Sequence, residues 1–132
     1  MITAFLLATA AAVPTAVDAE RAFSADAQRI GQWTAFRKYA DEDAVMFTPQ
    51  AVWARDFLKG RKDPPQSVRW WPTRSFVSCD GRTAVNTGGA VWPGNRRSSF
   101  TTVWQRTDRG GSLRFFRKSR AHTAWGVNMT AS

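Results

Sequence analysis

Residues 74–107 read RSFVSCDGRTAVNTGGAVWPGNRRSSFTTVWQRT, three β-prone runs separated by Asp80-Gly81 and by Pro93-Gly94-Asn95. Asp-Gly between such runs is a strong hairpin signal, because a tight turn needs positive φ and glycine adopts it without steric cost. The second half of the chain is therefore expected to fold as antiparallel strands. A fourth run, SLRFFRKS, follows the Asp108-Arg109-Gly110-Gly111 turn. Alternation assigns the faces. Thr83, Val85, Thr87 and Val91 share one side of the second run, and Ala84, Asn86, Ala90 and Trp92 the other; in the third run Phe100, Thr102 and Trp104 oppose Thr101, Val103 and Gln105. Gly88-Gly89 inside a strand predicts a bulge or sharp bend, the device by which a sheet curls.

The first half has a different period. Ala22, Phe23, Ala27 and Ile30 recur at helical spacing, with Glu20, Arg21, Asp26, Gln28 and Arg29 filling the other side. Gly31 interrupts this helix, and Trp33, Phe36, Arg37 and Ala40 resume the stripe, so a kinked pair or two short helices is expected. AVMFTP then reads as a short strand ended by Pro49, AVWARDFL as a strand or helical turn, and KGRKDPP as a loop. Helices followed by an antiparallel meander define an α+β domain, with the helices covering one face of a curved sheet to form a cone.

A chain of 132 residues is a prior for one domain. Ile2 to Val13 is an apolar run of signal-peptide length and Val17-Asp18-Ala19 supplies small residues for cleavage, although no Lys or Arg precedes the run. The expected organisation is a signal peptide over 1–19, the α+β domain over 20–119 and a frayed tail over 120–132, in a periplasmic or secreted protein. Cys79 is the single cysteine, which excludes an intramolecular disulfide and a cysteine-based zinc site. The formal charge is +9, of which +7 lies between Arg96 and Arg120. A basic third of this kind attracts polyanions through Arg96, Arg97, Arg114, Arg117 and Lys118. In an exported protein, envelope polyanions are favoured over nucleic acid.

The helix ending in YADEDAVMF, a strand closed by Pro49, a proline-bearing loop, and then RSFVSCDGRTAVNTGGAVWP followed by FTTVWQRTD resemble the nuclear-transport-factor-like (cystatin-like) superfamily. Within it the order is similar to the SnoaL-like group of small exported bacterial proteins, over roughly Val17 to Asp108. The resemblance implies the cone-shaped fold, a pocket between helices and concave sheet, and a homodimer formed through the outer sheet. The superfamily holds isomerases and cyclases beside many binding domains, so fold alone assigns no chemistry. The ketosteroid isomerases of the superfamily carry a catalytic carboxylate just before the strand-closing proline. Here that position is Thr48, too weak a base to replace it.

No catalytic residue, metal site or cofactor is assigned from the sequence. Asp41, Glu42 and Asp43 read as hydrated punctuation between helix and strand. His122 is the only histidine and falls in the expected tail. Seven tryptophans and nine phenylalanines suit either a heavily aromatic core or a cavity lining. Trp53, Phe57, Trp70, Trp71 and Trp104 are the candidate pocket walls, with Asn86 as the polar group that orients a ligand. The expected function is non-catalytic binding of a small apolar molecule in the cone, or a dimerisation or accessory role. The alternatives are a small isomerase, cyclase or dehydratase using Asp41 or Asp43, and an envelope polyanion-binding module.

Overall fold

The computed structural model describes residues 14–107 and, by their backbone, 113–115 and 127–131. Two helices open the described chain, α1 (Ala16–Ile30) and α2 (Gln32–Tyr39). Thr15 starts α1 with a capping box: its Oγ1 accepts from Asp18 N at 3.1 Å, and the Asp18 carboxylate accepts from Thr15 N at 3.0 Å. Gly31 separates the helices at φ 108°, where an L side chain is strained. The next helix start borrows its cap from far along the chain. Asp63 Oδ1 accepts from the backbone N–H groups of Trp33 (2.6 Å) and Thr34 (2.9 Å), which satisfies donors that a helix N-terminus otherwise leaves unpaired.

The remaining elements are β1 (Val45–Phe47), β2 (Ala51–Trp53), α3 (Ala54–Leu58), β3 (Arg69–Val77), β4 (Thr83–Trp92), β5 (Arg96–Arg106), β6 (Leu113–Phe115) and β7 (Val127–Ala131). They form one mostly antiparallel sheet in the order β2-β1-β7-β5-β4-β3, so the domain is α+β. β6 and β7 pair successive stretches of the same long strand: Leu113–Phe115 opposes 104–106 and Ala131 to Asn128 opposes 98–101.

Three sequence expectations are corrected. The frayed tail does not hold over 127–131, where β7 lies between β5 and β1 and pairs parallel with β1 through Met46 and Phe47. A short terminal segment orders there because both neighbours present backbone groups that need partners. Residues 120–126 and the region 1–13 that carries most of the expected signal peptide lie outside the described residues. The bulge expected at Gly88-Gly89 lies across the ladder in β3, where the register shifts between Pro72 and Arg74. The glycines answer that strand's close approach: a Cβ on Gly88 would lie 2.0 Å from the Trp71 carbonyl oxygen.

The third correction concerns α1. Its expected polar side contributes a seam to the core. Glu20, Ser24, Gln28 and Gln32 recur every four residues, so they form one row across the helix pair. Ser24 Oγ donates to Trp70 O (2.7 Å), Gln28 Nε2 donates to Val68 O (2.8 Å), and Gln32 Oε1 accepts from Val68 N (2.9 Å). This row satisfies backbone groups along the free edge of β3, where an unpaired strand would otherwise invite association. Beside it, Phe23 packs at 4.8 Å from both Phe36 and Trp70 and at 6.0 Å from Trp104, centring an aromatic core that also holds Phe100.

Candidate functional site

Glu20 is fully buried and is the hub of the interior. Its Oε1 accepts from Trp70 Nε1 (2.7 Å) and Thr102 Oγ1 (3.1 Å), and its Oε2 from Trp104 Nε1 (2.6 Å) and Asn86 Nδ2 (3.2 Å). One carboxylate on α1 thus joins β3, β4 and β5. Burial pushes its carboxyl above the usual carboxylate range, against the opposing pull of the four donors. Asn86 Nδ2 also donates to Ala16 O at 2.8 Å, while Asn86 Oδ1 is a buried acceptor with no donor among the described residues.

This arrangement redistributes the six candidate pocket residues. Trp70, Asn86 and Trp104 lie side by side in the core and are bonded to Glu20. Trp71 stands on the opposite face of the sheet, 48% exposed, with its ring over Gly89. Phe57 is half-buried against Trp33 (ring centroids 5.5 Å apart) and under the Arg61 guanidinium, and Trp53 is half-buried beside Arg55. Glu20 escaped the sequence reading because a carboxylate at a core position looks the same as one facing water. The available signal was the row of polar residues at four-residue spacing.

A separate hollow lies between α2, β1 and the end of β4. It measures about 200 Å³ and is lined by Gln32, Trp33, Phe36, Met46, Phe47, Thr48 and Trp92. None of the six candidates lines it, and no charged side chain among the described residues is on its wall. Trp92 donates its indole N–H to Ser98 Oγ (2.8 Å), and the Arg96 guanidinium lies over its ring at 5.5 Å from the centroid. Trp92 is also on the wall of a polar groove of about 400 Å³, together with Gln28, Ser67, Arg69 and Asn95.

The acidic triplet sits at the turn before β1. Asp41 accepts through its carbonyl from Ala44 N (3.0 Å) and through Oδ1 from Glu42 N (2.7 Å); Asp43 is exposed. Asp41 and Glu42 line a hollow of about 340 Å³ with Arg37, Ala40, Arg55, Leu58 and Lys59, whereas Asp43 does not line it. Among the described residues, no group of three or more His, Cys, Asp and Glu side chains is placed to hold a metal ion. Cys79 is exposed, and no helix in the described part is long and apolar enough to cross a membrane.

Among the described residues the basic candidates are spread along β5. Arg96 and Arg97 are exposed at the start of β5, whereas Arg114 pairs with Gln105 near its other end. Eight residues at about 3.3 Å each separate Arg97 from Gln105, a span of roughly 26 Å. Arg117 and Lys118 lie outside the described residues. No protein-family model, no curated protein and no solved structure matches this chain.

Proposed function

We propose that this chain is a non-catalytic binding domain that takes a small, largely apolar molecule in the hollow between α2, β1 and β4. The observation that carries this reading is the wall itself: Trp33, Phe36, Met46, Phe47 and Trp92 provide aromatic and thioether surface around about 200 Å³, with Gln32 and Thr48 as the polar groups. The buried carboxylate gives no competing enzymatic reading, because Glu20 is fully enclosed and bonded on both oxygens. In this reading the domain is a cone of the nuclear-transport-factor-like kind, exported, with the hollow at the mouth and the Glu20 hub filling the apex.

The opposite sheet face supports the accessory part of the proposal. Trp71 (48% exposed) and Phe76 (61% exposed) stand beside their own ladder partners Gly89 and Val85, with the Arg74–Thr87 pair between them, and give two aromatic positions suited to a homodimer contact. The binding reading is tested by ligand-observed NMR and thermal shift against neutral compounds of about six to ten non-hydrogen atoms. That size follows from apolar cavities of about 150 Å³ accepting benzene. Saturable binding is expected, with a raised melting temperature, and Thr48→Phe, placed at an exposed wall position, is expected to abolish it. Absence of binding across the series, or binding unaffected by Thr48→Phe, would refute the proposal.

A further inference from the structure

The geometry points to a more definite ligand class, a neutral monocyclic compound bearing one hydrogen-bond acceptor such as a carbonyl, held by the side-chain amide of Gln32; this rests on the binding reading above. Gln32 is 3% exposed, so its amide orientation is set by the protein. The Val68 backbone N–H is a donor and has to meet the amide oxygen, which it does at 2.9 Å. That bond fixes the amide flip and turns Nε2 to the other side. No acceptor for Nε2 exists among the hydrogen bonds of the described residues, while Gln32 lines the hollow.

Among the described residues the enclosed side-chain polar atom left without a partner is Asn86 Oδ1, so Gln32 Nε2 is not an enclosed orphan; a ligand that takes the place of the solvent at this donor has to supply an acceptor. The rest of the wall selects what accompanies that acceptor. Trp33, Phe36 and Trp92 offer ring faces and edges, and Met46 a polarizable thioether, all favouring a flat or compact apolar body. Because no charged side chain among the described residues lines the hollow, a charged group carried into it would meet no described counter-charge on the wall. The volume of about 200 Å³ limits the body to one ring with a short substituent. The Thr48 hydroxyl, also on the wall, can donate to the same acceptor or to a second one.

The test uses acetophenone and its hydrocarbon counterpart isopropylbenzene as probes, because their affinity ratio within one protein separates the acceptor from general apolar transfer. Both are titrated by ligand-observed NMR against the full chain and against Gln32→Met. The ratio is expected to move by about tenfold toward the hydrocarbon in Gln32→Met, the range of one buried hydrogen bond. In the unsubstituted protein, the Gln32 side-chain NH₂ resonances are expected to shift downfield with acetophenone and to stay in place with isopropylbenzene. This second readout decides the matter if Gln32→Met fails to fold. Binding of both probes with an unmoved ratio, or without an acceptor-dependent shift of the Gln32 amide, would overturn the acceptor assignment and leave the apolar binding site standing. Failure of both probes to bind would overturn the two readings together.

Discussion

Replacing Glu20 by leucine removes the acceptor shared by three strands, and the structure fixes what is left behind. The indole N–H groups of Trp70 and Trp104 each lose the carboxylate oxygen they donate to, at 2.7 and 2.6 Å. Thr102 can rotate its hydroxyl, and Asn86 Nδ2 retains Ala16 O. Two orphaned buried donors at about 1–3 kcal/mol each give roughly 2–6 kcal/mol of destabilisation. The opposing gain is relief of a buried charge that makes no salt bridge. At pH 5 that gain is bounded, because the carboxyl, with an ordinary value of 4.5, can take up a proton for about 0.7 kcal/mol. The net expectation is a loss of about 2–5 kcal/mol, a large part of the stability of a domain this size, read as a fall in melting temperature of roughly 8–20 °C. Since burial raises this group's folded value, its contribution is fully present below 4.5 and is lost as pH rises through the folded value. The gap between the parent and Glu20→Leu is therefore expected to narrow from pH 5 to pH 8. Trp104→Phe should also destabilise less in the Glu20→Leu background than in the parent, by about 1–3 kcal/mol, because the donor is already orphaned there. Equal or greater stability of Glu20→Leu at pH 5, or a gap that widens with pH, would refute the hub as described.

Gly31→Ala is expected to cost about 3 kcal/mol in denaturant unfolding: φ is 108°, and the new Cβ would lie 2.4 Å from the Asp63 carboxylate that caps α2. A loss below 0.5 kcal/mol would contradict that geometry. Hydrogen bonds from Lys38, Arg29 and Tyr39 hold Asp26 down to about 2, against an ordinary 3.8. Its contribution is therefore present above pH 4 and is lost as pH falls toward 2; Asp26→Asn should flatten this acid limb, and parallel pH profiles would rule out the contribution. Gly88→Val should disrupt the β3–β4 pairing, since even a Cβ would meet Trp71 O at 2.0 Å; near-parent amide exchange protection along β4 would contradict that approach. A chain beginning at Glu20 lacks both the Thr15–Asp18 capping box and the Ala16 carbonyl that accepts from Asn86. It should be less stable by about 2 kcal/mol than one beginning at Pro14, and equal melting temperatures would show that the first turn of α1 contributes nothing.

Much of the fold was legible because local chemistry dictates it. Asp80-Gly81 and Pro93-Gly94-Asn95 close the hairpins, with Gly81 at φ 70°, Gly94 at 82° and Asn95 at 59°. The period-two pattern groups Ala84, Asn86 and Ala90 on one side of β4 and Phe100, Thr102 and Trp104 on one side of β5, and these groups are buried together; Gly31 divides the helical stripe into α1 and α2. The site was less legible. Trp33, Phe36 and Trp92 sit on sequence stripes that mark them as apolar, yet nothing in those stripes distinguishes a ring packed in the core from one facing a hollow. Hence Trp70 and Trp104 read as pocket walls and Asn86 as their polar group, whereas the hollow lies around α2 and β1.

By itself the sequence determined which residues share a side of each element and where the elements end, because side-chain period and turn conformations are properties of a few neighbouring residues. Only the tertiary structure decided what each side meets. Glu20, Ser24, Gln28 and Gln32 form a polar row whether water or another strand lies opposite, and here the edge of β3 makes it a buried seam. Likewise, Val127–Ala131 is an inner strand because β1 pairs with it on one side and β5 on the other. Periodicity fixes direction within an element, whereas burial depends on partners tens of residues away.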